Sequence, residues 1–274
     1  MSNPPQVRGL TAEPALGRTE LTWTSAGFDP LIDHYRINAT RGGRRPSKTQ
    51  LVGKTVFPRL THHDVDPAGE RWTYTVSAVT DAGDIGRPSE PLTLDSVASV
   101  SATGRRLGSL GEFDGKSLEF QHSPAAYAKI PTDHPDGVIE LPADAQAADC
   151  PYLLPGPGDS WAGRKAYRIR WEVEAEDPSS VCDIALWFVD TTRLGGRLDV
   201  IVNGDTALEI EIPKGATLGS RDGDATRHGS LMQRAAIERE LPADIIQPGA
   251  NIVELVLAEG GWVAWDGFGL YARQ

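Results

Sequence analysis

The chain has 274 residues, 39% of them hydrophobic, and a formal net charge of −11. Residues 1–98 are neutral, while residues 99–274 hold 16 basic against 27 acidic side chains and carry the whole charge. Nucleic acid is therefore disfavoured as a partner for want of a basic face. A strongly anionic polysaccharide is disfavoured for the acidic half, and no apolar run approaches the ~18 residues that span a bilayer.

The 20 prolines and 29 glycines are spread along the chain, which suits many strands joined by many turns. Met1 to Arg8 contains no apolar signal core, although a mature or partial chain would read the same way, so this does not place the protein inside the cell. Cys150 and Cys182 have neither a framework nor metal spacing. They are either one bridge or two buried or free thiols.

Residues 1–98 alternate in short runs. Glu20–Thr24, His34–Ile37 and Trp72–Val79 read as strands, separated by turns at Asp29-Pro30, Gly42-Gly43, Asp66–Gly69 and Asp81–Gly83. About seven short strands predict an immunoglobulin-like sandwich. The absence of Cys excludes a disulfide-linked antibody-type domain. His62-His63-Asp64 is a weak metal candidate, because neighbours on a strand point apart.

These residues resemble a fibronectin type III domain. Pro4-Pro5 opens the segment, Trp23 stands on the second strand and Tyr35 on the third, and Leu60 precedes Tyr74–Val79, with Gly83, Ser89 and Pro91 following. The resemblance implies that Tyr74 is a corner tyrosine, its hydroxyl satisfying a backbone group, and that the domain is a spacer. No Arg-Gly-Asp triplet supports integrin-type adhesion.

Asp95–Gly108 is small and polar, and residues 99–107 read as a linker to a second domain at 108–274. Strands are expected there at Ser117–Phe120, Tyr127–Ile130, Val138–Leu141, Tyr167–Ala175 and Asp183–Val189. More follow at Arg197–Val202, Leu208–Ile212, Ile237–Leu241, Ile252–Leu257 and Trp262–Tyr271, with a helical turn as an alternative at 231–240. Tyr167–Ala175 alternates apolar and charged residues, as a strand with one wet face does. About ten strands predict a second all-β unit, a jelly-roll (galactose-binding-like) β-sandwich. Two long loops interrupt it, at 142–166 and 213–236, and the second, Gly-rich and charged, reads as mobile.

The first loop contains Asp149-Cys150-Pro151-Tyr152-Leu153-Leu154-Pro155-Gly156-Pro157-Gly158-Asp159-Ser160-Trp161-Ala162-Gly163. With Asp190-Thr191, Leu198–Gly204, Pro248–Asn251 and Gly261–Asp266, it makes residues 108–272 resemble the carbohydrate-binding-module-like third domain of rhamnogalacturonan lyases (polysaccharide lyase family four). Cys150 stands where that loop often has an aromatic, and the segment after Asp190 is short. The resemblance implies a polysaccharide or oligosaccharide partner and an extracellular or cell-surface location. Nothing corresponds to the lyase's catalytic domain, so no catalytic residue carries over.

Tyr152 and Trp161 are the candidate sugar platforms, with Asp159 accepting hydroxyl hydrogen bonds; the competing reading is that both rings plug the end of the sandwich. Of Trp187 and Phe188, one must face outward on a regular strand, and of Trp262 and Trp265 one is expected to be exposed. Asn203 is a hairpin-turn residue first and a ligand second. His122, His134 and His228 have no partner that sequence can assign. A structural Ca²⁺ on Asp114 or Asp266 is the metal expectation, although no run has Ca²⁺-loop spacing, and no other cofactor is expected. The leading reading is a monomeric, non-catalytic glycan-binding accessory protein. A stand-alone polysaccharide lyase or glycoside hydrolase, with its site where the domains meet, and a purely structural spacer are the alternatives.

Overall fold

The computed structural model describes residues 4–26, 31–42, 48–63, 65–178, 181–227 and 229–273. The turns expected at Asp29-Pro30 and Gly43, and the side chains of Asp64 and His228, lie outside these residues. The chain is all-β and divides into two units, Met1–Thr103 and Gly104–Gln274. No helix among the described residues is long and apolar enough to cross a membrane.

The first unit has seven strands: β1 (Arg8–Ala15), β2 (Arg18–Thr24), β3 (Ile32–Arg41), β4 (Gln50–Thr55), β5 (Arg59–His62), β6 (Arg71–Thr80) and β7 (Leu92–Asp95). They form sheets in the orders β1-β2-β5 and β4-β3-β6-β7, the two halves of a sandwich. Alternation decides the inner face, since β2 buries Leu21 and Trp23 while Glu20, Thr22 and Thr24 face water. Trp23 meets Tyr35 edge-on at 5.3 Å. Tyr74 is fully buried as expected. Its hydroxyl, however, pairs at 2.9 Å with Nδ1 of buried His62, a side chain rather than a backbone group. Burial pushes its pKa up to about 12. His62 is therefore a core partner of Tyr74.

The segment read as a linker has structure of its own. Val100–Thr103 is one turn of helix (α1) closing the first unit, and β8 (Arg105–Gly111) opens the second. Nine more strands follow: β9 (Val138–Leu141), β10 (Leu153–Pro155), β11 (Arg168–Ala175), β12 (Cys182–Thr191), β13 (Gly196–Val202), β14 (Asp205–Ile212), β15 (Ala235–Glu240), β16 (Gly249–Gly260) and β17 (Trp262–Ala272). One sheet runs β10-β17-β12-β15 with β8 also on β17, and the other runs β14-β13-β16-β11-β9. Trp171 of the second sheet meets Phe268 of the first edge-on at 5.6 Å, and Trp265 lies between Phe188 and Phe268.

Three expectations fail locally. Ser117–Phe120 is a turn, and Tyr127–Ile130 winds into a 3-10 turn running on into α2 (Ile130–Asp133). Pro131 sits in the first turn of α2, where its missing N–H costs nothing. At 231–240 the helical alternative gives way to β15, paired with β12. Cys150 and Cys182 are both buried, and neither is in a disulfide.

The β10-β17-β12-β15 sheet has no wet side at its centre. Every residue of β12 and β17 is buried, because the segment after β8 and the loop between β14 and β15 fold over the outer face. Phe113 packs edge-on against Trp187 at 5.6 Å, and a Cβ on Gly219 would stand 3.6 Å from that of Ala264.

Candidate functional site

The proline-rich loop is anchored in its middle by three residues. Leu153, Leu154 and Pro155 pair with Ala264, Val263 and Trp262, so the loop becomes a short edge strand, where proline is tolerated. Ahead of it, Asp149 closes a 3-10 turn by accepting the Gln146 N–H at 2.9 Å. Behind it, the Gly158 N–H donates to Gly260 O at 2.7 Å, and a Cβ there would stand 2.7 Å from the same oxygen. Only glycine allows that approach.

This anchoring leaves the loop's two rings in different environments. Tyr152 is fully buried and donates its hydroxyl to Ser220 O at 2.6 Å. Burial pushes its pKa up. It is an end-plug that joins the two long loops, and no sugar can reach its face. Trp161 is half-buried and meets Tyr127 at 5.0 Å with the ring planes 68° apart, forming an aromatic corner.

Asp159 is half-buried beside Trp161, with which its carboxylate shares a hydrogen bond. Burial raises the Asp159 pKa, and the bond to Trp161 opposes that rise. Its Oδ2 is buried without a hydrogen-bond partner, as is the Thr192 hydroxyl, and both side chains approach Gly261. Arg221, exposed on the second long loop, hydrogen-bonds the Tyr127 side chain, which raises its pKa. Trp161, Tyr127, Asp159 and Arg221 thus gather from three segments at one end of the sandwich.

The remaining sequence candidates serve the fold. Trp187 does turn to the outer face, but Phe113 covers it and leaves it 7% exposed. Trp262 and Trp265 are both buried, since both faces of β17 are covered. Asn203 makes the β13–β14 turn at φ 52°, and its amide is used internally: it donates to Asn251 Oδ1 and accepts the Ile252 N–H, each at 2.9 Å.

Asp114 pairs with Lys116 at 2.7 Å. Asp266 is 2% exposed and accepts the Gly115 N–H at 2.9 Å; burial pushes its pKa up to about 7. Among the described residues no group of three or more His, Cys, Asp or Glu side chains is placed to hold a metal. His122 faces Asp133 at 2.8 Å, and His134 Nδ1 lies 3.2 Å from Val138 O.

Sequence reasoning missed Tyr127 and Arg221. Tyr127 lies between Pro124 and Pro131, a spacing that argues for turns rather than a strand. Nothing local marks Arg221.

No protein-family profile matches the chain, and no curated protein matches it. Solved structures similar to part of it include a Fn3-like protein from Clostridium thermocellum, at 22% identity and TM-score 0.30, covering 35% of this chain and 96% of that one. A structure of domains from titin matches at 22% identity and TM-score 0.30, covering 35% of this chain and 32% of that one. The fibronectin type-III domain of a human fibronectin type III domain containing protein matches at 13% identity and TM-score 0.31, covering 36% and 92%.

Proposed function

We propose that the second unit is a non-catalytic glycan-binding sandwich and the first a fibronectin-like spacer, in a protein of the extracellular space or cell surface. The observation that carries this is the half-buried Trp161, braced by Tyr127 and set beside the half-buried Asp159. An indole face stacks on the C–H face of a pyranose, and Asp159 accepts sugar hydroxyls while Arg221 donates to them. Pro155 and Pro157 and the β10 pairing hold the platform in place, so little conformational freedom remains to be lost on binding. The net charge of the second unit favours neutral or weakly charged cell-wall or pectic glycans over polyanions.

The test is affinity electrophoresis of the full chain through gels containing such glycans. At least one glycan is expected to retard the protein, and Trp161→Ala is expected to weaken that retardation at least tenfold. If no glycan retards the wild-type chain, the reading fails.

A further inference from the structure

The loop between β14 and β15 is closed around a single side chain. Asp190, near the end of β12, is fully buried, and its two carboxylate oxygens meet four main-chain N–H groups. Oδ1 accepts from Ala216 at 2.8 Å and from Gln233 at 3.4 Å; Oδ2 accepts from Leu218 at 2.6 Å and Gly219 at 2.9 Å. Both ends of the loop thus converge on one carboxylate.

The loop's glycines fit this seat. A Cβ on Gly215 would stand 2.6 Å from Asp190 Oδ1, and one on Gly219 would stand 2.7 Å from the Asp190 Cβ. Neighbouring residues add to the hold: Thr191 Oγ1 donates to Pro213 O at 2.7 Å, and the Gly215 N–H donates to Thr192 O at 2.9 Å. This Gly-rich, charged segment, outside any strand or helix among its described residues, is hydrogen-bonded at both ends to Asp190.

From that seat the loop carries Ser220 O to the Tyr152 hydroxyl and Arg221 to Tyr127. We infer that Asp190 is a positioning residue: it anchors the 213–234 loop and through it sets Arg221 against the Trp161–Tyr127 corner. The consequence for ligand affinity rests on the glycan-binding reading above; the anchor does not.

Asp190→Asn tests the anchor with little change of shape. Whichever way the amide turns, its NH₂ faces two N–H donors where an oxygen stood, so half of the seat becomes repulsive. Gly219→Ala disturbs the same seat from the loop side and leaves the carboxylate intact. In both variants of the full chain, exchange of the Ala216 and Leu218 amides is expected to accelerate at least tenfold, and trypsin is expected to cut after Arg221. Exchange in β12 and β17 should stay at the wild-type rate, which separates release of the loop from unfolding.

Wild-type exchange in the loop of both variants overturns the anchor. With a glycan that retards the wild-type chain, Asp190→Asn is expected to lose at least fivefold in affinity. A released loop with undiminished affinity overturns the positioning role. A wild-type chain that binds no glycan overturns the ligand consequence together with the function it rests on, while the exchange rates still decide the anchor.

Discussion

β2 and β17 each have strand neighbours on both edges of a sandwich sheet, yet they use their two faces differently. In β2, Leu21 and Trp23 are buried while Glu20, Thr22 and Thr24 are exposed. In β17 every residue from Trp262 to Ala272 is buried. The outer face of β2 is left to water, whereas the second unit folds its loops back over one sheet. Alternation therefore says which residues leave the inner face, but not whether water or a loop meets them.

The largest expected effect breaks the doubly covered sheet at its centre. Trp265→Ala, between Phe188 and Phe268, should cost about 3–5 kcal/mol in urea unfolding of the second unit. A loss below ~1 kcal/mol would mean that the covering loops, not the core, hold that sheet.

Asp266 is next. Its pKa is raised from 3.8 to about 7, mainly by burial, so the folded state holds this proton more tightly than the unfolded chain. The stability this contributes is complete below pH ~3.8 and is lost as pH rises through ~7, an effect on the order of a few kcal/mol. Asp266→Asn keeps an acceptor for the Gly115 N–H and should flatten the dependence. Urea midpoints from pH 4 to pH 8 read it, and equal slopes in both proteins would contradict it.

The two units also hold comparable buried tyrosines. Tyr152→Phe should cost about 1–2 kcal/mol by leaving Ser220 O without its donor, and Tyr74→Phe about the same by removing the partner of His62. Thermal unfolding would show each loss in its own unit.

Legibility in the sequence follows the same contrast. Strands with one wet face, such as β2, β3 and β11, announce themselves by alternation, and β12 and β17 by the length of their apolar runs. Only the start of β8 falls in the 99–107 linker, a run that is small, polar and weakly patterned; β8 is a strand because the edge of β17 is there to pair with. Tyr127–Ile130 failed in the opposite way, since four residues of apolar alternation fit a helical turn as well as a strand.

At the candidate site, Trp161 and Asp159 were legible as an aromatic and an acid in a stiff loop. Which ring would turn inward was not. That depends on Ser220, which is 68 residues from Tyr152 along the chain. Asp190 was visible only as part of a motif, because the amides it binds come from residues 216–233, brought there by folding.

The central claim is that Trp161 and Tyr152, nine positions apart in one loop, have separate jobs. Glycan-affinity electrophoresis of the wild type, Trp161→Ala and Tyr152→Phe tests it most directly. The account predicts that Trp161→Ala loses at least tenfold in affinity, while Tyr152→Phe loses stability and keeps its affinity. A Trp161→Ala protein retarded as strongly as the wild type would contradict it.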